Sequence, residues 1–151
     1  MKFFAVLALI CTSLVASLPR VRREAYKLPD GAELIVGNIQ TTFTCEGYRY
    51  GYYADIDNNC KIFHVCQTIT HADDTTETLQ WSFFCGNQTV FNQLSLTCAF
   101  PEDAVPCSDA KDFYYVNDNI GDENALFLTD NDVEKANQAK FSAYGTRSGK
   151  K

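Results

Sequence analysis

Six cysteines within a stretch of 63 residues constrain this chain more than any other feature of its sequence. Their spacing is C-x14-C-x5-C-x18-C-x12-C-x8-C. They are Cys45, Cys60, Cys66, Cys85, Cys98 and Cys107. An even set can pair completely, although spacing by itself leaves fifteen connectivities open. A domain this small buries little apolar surface, so three disulfides, at about 2–4 kcal/mol each, would replace a large core.

The N-terminus has the pattern of a secretory signal. Residues 3–15 are uncharged and mostly apolar, and the run is too short to span a bilayer as a helix. Small residues at Val15 and Ser17 predict cleavage after Ser17, which would remove the seventh cysteine, Cys11. The motif R-x-R-R ends at Arg23 and is similar to a proprotein-convertase site, which predicts a propeptide over 18–23. An exposed basic linker is the alternative.

Charge limits the partners that the chain can take. The whole sequence has 13 basic and 19 acidic residues, and loss of the first 23 residues would leave 9 against 19, a net charge of −10. Such a chain is repelled by nucleic acid and by anionic membrane surfaces. We therefore expect a secreted, extracellular monomer that neither binds nucleic acid nor inserts into membranes, and whose partner is neutral.

Two strands and a short hairpin are predicted inside the cysteine frame. Residues 61–66 alternate, with Ile62, His64 and Cys66 on one face, and residues 79–85 alternate in the same way. The polar stretch 67–78 is predicted to turn the chain between these two antiparallel strands. A second hairpin is predicted from residues 89–92 and 95–97.

The segments outside the frame have no sustained hydrophobic period. The segment 24–44 is predicted to be a linker, and 108–151 an acidic, flexible tail. Within that tail, Phe113, Tyr114 and Tyr115 could dock on the domain, and residues 133–144 could form a transient helix.

The frame, together with the blocks GYYAD, FHVC, WSFFC and VFNQ, resembles the invertebrate type-2 chitin-binding domain, also called peritrophin-A. The resemblance covers 45–107, and the whole chain also resembles the centipede scoloptoxins. It implies a small all-β, disulfide-rich fold with an antiparallel three-stranded sheet, a short two-stranded hairpin, three disulfides and flexible tails. It also implies that Cys45 pairs with Cys66, Cys60 with Cys107, and Cys85 with Cys98.

The resemblance implies a sugar site at the hairpin between Cys85 and Cys98. Asn92 is carried over as a polar sugar contact, and Phe91 as the core side of that strand. The chain has Leu94, Ser95 and Leu96 where many relatives have a late aromatic residue, which disfavours tight binding. Aromatic platforms would have to add affinity. The candidates are Tyr48, Tyr50, Tyr52, Tyr53 and Phe100, of which we favour Tyr50 and Phe100.

The sequence offers no catalytic residues, no metal site and no cofactor. The acidic run that starts at Asp55 lacks the glycine and glutamate that an EF-hand needs. The two histidines, His64 and His71, have no free cysteine to join, and His64 is a structural residue in the resembled family. Asn87 begins an N-x-T sequon, which predicts glycosylation in a turn, although a plain hairpin turn would explain it equally well.

Taken together, these features predict a secreted, non-enzymatic protein that binds chitin or a related N-acetylglucosamine polysaccharide in an extracellular matrix such as cuticle. The alternative is a venom or gland secretion that reuses the same scaffold.

Overall fold

The computed structural model describes residues 26–148, and the side chains of residues 26–143. In chain order the elements are α1 (Ala32–Val36), β1 (Gly51–Ala54), β2 (Ile62–Thr70), β3 (Thr76–Phe84), β4 (Val90–Asn92), β5 (Thr97–Ala99), a 3₁₀ helix (Cys107–Asn119) and α2 (Asp130–Ser148). The predicted signal peptide, the propeptide that ends at Arg23, and Cys11 lie outside the described residues.

The strands form two antiparallel sheets, in the orders β1-β2-β3 and β4-β5. β2 is the central strand of the larger sheet, where His64 pairs with Tyr53 on one side and with Ser82 on the other. Ile62, His64 and Cys66 are fully buried, as the alternation predicts. The predicted fold class, a small disulfide-rich β domain with a three-stranded sheet and a two-stranded hairpin, is confirmed.

The hairpin between β2 and β3 is longer than predicted, because the strands extend into the stretch that was interpreted as a turn. Thr68 pairs with Thr78, and Thr70 with Thr76. These threonines are polar but β-branched, and β-branched residues favour a strand. The actual turn is short, and its end is fixed by Asp73, whose Oδ1 accepts hydrogen bonds from the backbone N and the hydroxyl of Thr75.

The smaller sheet packs on the larger one through stacked aromatic rings. Phe91 of β4 is buried and lies 4.4 Å from Phe63 of β2, centroid to centroid, with the rings nearly parallel. The backbone N of Phe91 also donates to the carbonyl of Cys60, at 2.7 Å. Phe91 therefore occupies the core side of its strand.

Three disulfides join the parts of the domain. Cys45–Cys66 ties the segment before β1 to β2, and Cys85–Cys98 closes the second hairpin. Cys60–Cys107 connects the turn before β2 to the start of the 3₁₀ helix, across 47 residues. These are the pairs that the family resemblance implies.

The segment after Cys107 differs from the predicted flexible tail, because the 3₁₀ helix is packed against the sheet. Ala110, Phe113 and Val116 are buried. The side chain of Asn117 serves as a partner for the edge of β1: its Oδ1 accepts from the backbone N of Tyr52, and its Nδ2 donates to the Tyr52 carbonyl. Local composition could not show this, because the bonded residues are 65 positions apart.

The following helix, α2, is also docked on the domain, where only a transient helix was expected. Its contact is small: buried Ala136 packs with Val105 and Phe113. Asp132 caps the helix start by accepting from the Thr129 backbone N and hydroxyl, and it accepts a further hydrogen bond from the Tyr115 hydroxyl. A helix that docks through one alanine and a few hydrogen bonds needs no apolar stripe along its length. The sequence pattern therefore did not predict this docking.

The segment 26–44 likewise differs from the predicted linker. Phe43 stacks on the His64 ring with 4.2 Å between the centroids, and Tyr26 meets the same ring edge-on at 4.9 Å. Two isolated aromatic residues cover a buried polar side chain here, and their spacing of 17 positions matches no periodic pattern.

We expect Gly51→Ala to destabilise the fold. A Cβ at position 51 would lie 2.4–2.7 Å from atoms of the Asn117 side chain, which is held by its bonds to Tyr52. The free energy of unfolding should fall by about 1–3 kcal/mol, as for other overpacked sites. Thermal unfolding measures this effect. Gly86→Ala is the matched control, because its Cβ would meet nothing within 4 Å; equal stability of the two variants would contradict the assigned contact.

Candidate functional site

One face of the three-stranded sheet presents aromatic side chains. The strand register aligns Tyr52, Val65 and Trp81 across β1, β2 and β3, and the next row contains Phe63 and Phe83. Residues two apart on a strand share a face, so Trp81 and Phe83 lie on one side. Phe83 is 46% exposed, whereas Tyr52 and Trp81 are half-buried.

Tyr50 extends this surface beyond the start of β1. Its ring is 46% exposed and lies 6.5 Å from that of Tyr52, in an edge-to-face arrangement. The pKa of Tyr52 is raised, first by the neighbouring Tyr50 phenol and then by burial. We refer to Tyr50, Tyr52, Trp81 and Phe83 together as the aromatic sheet face.

The residues predicted to contact sugar are not brought together. Tyr50 belongs to the aromatic sheet face, whereas Phe100, 51% exposed, follows β5 of the other sheet. Within residues 26–143, no ring contact joins the two. Of the other candidate platforms, Tyr48 is half-buried and Tyr53 is buried.

Asn92, which is predicted to be a polar sugar contact, lies almost entirely inside the fold. The residue is only 6% exposed, and its Oδ1 accepts hydrogen bonds from the backbone N of Leu94 and of Val105, both at 3.2 Å. Asparagine commonly bonds the backbone two residues on, which explains its place in this turn. Asn92 therefore holds the hairpin against the segment that contains Val105.

Trp81 and Phe83 were predicted as strand residues but were not among the candidate platforms. Their period-two alternation with Leu79 predicts that all three side chains lie on one face of a strand. It does not tell how far each face is covered. Phe43 packs on the face that carries His64, whereas Phe91 packs on Phe63, on the same face as Phe83. Ser82, between them in the sequence, lies on the buried face.

Under the opposite face of the sheet, Asp55, His64 and Ser82 form a buried hydrogen-bonded chain. The His64 Nε2 lies 2.9 Å from Asp55 Oδ2, and its Nδ1 lies 2.9 Å from the Ser82 hydroxyl. The same three residue types form the catalytic triad of many hydrolases. Here all three are buried, and Phe43 and Tyr26 lie on the His64 ring, so no substrate could reach the serine.

Asp55 is the centre of this chain. Besides His64, its carboxylate accepts from the Tyr26 hydroxyl at 3.0 Å and from the backbone N and Nδ2 of Asn58. Burial raises the pKa of Asp55, but the hydrogen bonds from His64, Asn58 and Tyr26 outweigh it, and the pKa lies below its ordinary value. The network is therefore structural, as predicted for His64.

The remaining groups offer little other chemistry. In the described part of the chain, no three His, Cys, Asp or Glu side chains converge closely enough to hold a metal ion. Between residues 26 and 148, no helix is long and apolar enough to cross a membrane. Asn87 is exposed in the turn after β3, where the Thr89 hydroxyl donates to the Gly86 carbonyl. Its glycosylation stays a prediction.

The crosslinks and the two sheets define a small disulfide-stabilised β domain, and comparison with known proteins identifies its class. Residues 45–107 match the Chitin binding Peritrophin-A domain. The chain is 35% identical over 92 residues to U-scoloptoxin(01)-Cw1a of Cormocephalus westwoodi. The aligned stretch covers 61% of this chain and 68% of that protein. It is 32% identical over 78 residues to U-scoloptoxin(01)-Er1a of Ethmostigmus rubripes, covering 52% and 59% respectively.

The chain therefore belongs to the peritrophin-A chitin-binding family, whose domains bind carbohydrate and are non-catalytic. No solved structure matches it significantly.

Asp55→Asn should remove a pH-dependent part of the stability. Because the folded pKa of Asp55 is depressed, its ionised form stabilises the fold above the unfolded pKa of about 3.9, and this contribution is lost as the pH falls below that value. We expect Asp55→Asn to cost roughly 1–3 kcal/mol at pH 7 and less at pH 3. Urea unfolding at both pH values measures the difference.

Asp130→Asn is the control for the change of charge, because Asp130 is exposed. An Asp55→Asn variant that loses as much stability at pH 3 as at pH 7 would contradict the assigned role.

Proposed function

We propose that this chain is a secreted, non-enzymatic protein that binds N-acetylglucosamine polymers through its aromatic sheet face, in an extracellular matrix such as cuticle. The observation that carries the proposal is the alignment of Tyr52 and Trp81 across the sheet, with Tyr50 and Phe83 exposed beside them. Membership of a chitin-binding family supports the ligand class.

The chemistry of the ligand favours such a surface. N-acetylglucosamine is uncharged, so the net charge of −6 neither attracts nor repels it. Its apolar ring faces can stack on aromatic side chains, while its hydroxyl and acetamide groups form hydrogen bonds. One ring that removes about 100 Å² of apolar area from water contributes about 2.5 kcal/mol, which alone gives a Kd in the tens of millimolar. Several neighbouring rings are therefore needed.

Secretion is supported by two independent features. The three disulfides suit an oxidising compartment, since such crosslinks are rare in the cytosol. The N-terminal apolar run has the pattern of a signal peptide. The binding itself would be monomeric, with avidity coming from repeated rebinding along the polymer.

The second candidate function is that of a toxin-like secretion. It is favoured by the similarity to two proteins that are named as scoloptoxins. In this case the protein would have the same disulfide-linked scaffold, and its exposed loops would bind a target other than chitin.

Retention on chitin beads in high salt tests the first function and identifies the surface. We expect Phe83→Ala and Tyr50→Ala each to weaken retention by roughly 10- to 70-fold, because each removes one stacking contact that contributes up to about 2.5 kcal/mol. Phe100→Ala should have little effect, because Phe100 is outside the aromatic sheet face. Phe141→Ala, on α2 and 83% exposed, is the matched control for loss of an exposed phenylalanine.

The competing outcomes are distinct. If only Phe100→Ala lost retention, the sugar site would lie at the second hairpin and not on the aromatic sheet face. Flow-through of the correctly oxidised parent protein would contradict chitin binding and favour the toxin-like function.

A further inference from the structure

A cavity of about 470 Å³ opens on the opposite side of β1 from the aromatic sheet face. Three of its lining residues carry aromatic rings. Tyr48 is at the centre of them: its ring is parallel to that of Phe43 at 5.5 Å and meets that of Tyr114 edge-on at 5.6 Å. Tyr114 is fixed, because its hydroxyl donates to the Ala54 carbonyl at 2.8 Å. The walls are thus preformed, and the volume falls in the range of small-molecule pockets, about 300–1,000 Å³.

The cavity is also negatively charged. Glu46, Asp55 and Asp57 line it, against Lys111 as the single cation in the lining. Asp55 is occupied by its buried network, but Glu46 is exposed and forms no hydrogen bond or ion pair with any described residue. Lys111 lies within salt-bridge distance of no carboxylate in the described chain. Asp57 accepts a hydrogen bond from the Thr42 hydroxyl, but neither it nor Glu46 has a cationic partner among the described residues.

Aromatic rings beside uncompensated carboxylates favour an organic cation over the other ligand classes. Rings attract cations through their negative faces, and carboxylates accept charge-assisted hydrogen bonds from an ammonium group. A metal ion would need several converging ligands, and the described residues provide no such group. The pKa of Tyr114 is raised, first by burial and then by Tyr48 and the acidic residues Asp55 and Asp57, as expected in a negative environment.

We propose that this cavity binds the protonated amino sugar of partly deacetylated chitin, with the pyranose ring against Tyr48 and the ammonium group at Glu46 and Asp57. The inference rests on the proposed binding of chitin and adds a second subsite with a different preference. A glucosamine unit combines an apolar ring face with a cation, and so matches both kinds of wall. The acetylated unit matches only the aromatic part.

Calorimetric titration of the oxidised full-length protein tests this subsite, with glucosamine tetramer and N-acetylglucosamine tetramer as the two probes. Glu46→Gln should weaken binding of the glucosamine tetramer about threefold, as expected for a solvent-exposed charge pair, and leave the acetylated tetramer unchanged. Lys111→Gln should act in the opposite direction, because it removes a repelling cation. Added salt should weaken only the glucosamine interaction.

Glu123→Gln is the control, because it makes the same change of net charge at an exposed position outside the cavity lining. Equal effects of Glu46→Gln and Glu123→Gln would overturn the proposal, as would an unchanged affinity in both cavity variants. Competition by Nα-acetyl-lysine amide as strong as by glucosamine would also overturn it, by showing a site for cations in general.

The two proposals fail separately. Phe83→Ala tests the aromatic sheet face alone, since Phe83 does not line the cavity. Unchanged binding of the acetylated tetramer by this variant would contradict the proposed function and leave the test of the cavity intact.

Discussion

The disulfide between Cys60 and Cys107 is the constraint on which the rest of this structure depends. It closes the longest of the three crosslinked loops and joins the central β-strand region to the 3₁₀ helix. By the chain-entropy argument, a loop of this length corresponds to about 4 kcal/mol. Both cysteines pack in or against one cluster, with buried Ala54, Phe91 and Ala110. The crosslink therefore lies where the sheet, the second hairpin and the C-terminal segment meet.

The domain extends beyond its cysteine frame on both sides, and these flanks complete its interior. On the N-terminal side, Tyr26 and Phe43 cover His64, and the Tyr26 hydroxyl donates a hydrogen bond to Asp55. On the C-terminal side, Asn117 pairs with the edge of β1. In physical terms, the flanks add hydrogen-bond partners to buried or edge polar groups of the 63-residue cysteine frame. Tyr26 and Phe43 thus cover the face that carries His64. The other face is covered by Phe91 at Phe63 but leaves Tyr50 and Phe83 partly exposed.

The cysteine spacing and the alternation of β2 allowed the fold class and the buried face to be predicted. The candidate site residues stay predictions. Tyr50 is exposed, whereas Asn92, predicted as a polar sugar contact, is buried, and Trp81 was predicted only as part of a strand. Exposure on a strand depends on what packs over it. Phe43, which covers His64 on the opposite face, is separated from that residue by 21 positions, and Phe91 covers Phe63 but leaves Phe83 partly exposed. Docking of Phe113, Tyr114 and Tyr115 was expected only as a possibility, because the contacts of the segment after Cys107 are long-range and leave no periodic pattern.

The central claim is that crosslinking, rather than a large apolar interior, holds the scaffold on which the exposed side chains are displayed. Far-ultraviolet circular dichroism before and after reduction, in the absence of denaturant, tests it most directly. The account predicts that reduction abolishes the β-sheet signal. A reduced and alkylated protein that keeps this signal would contradict it.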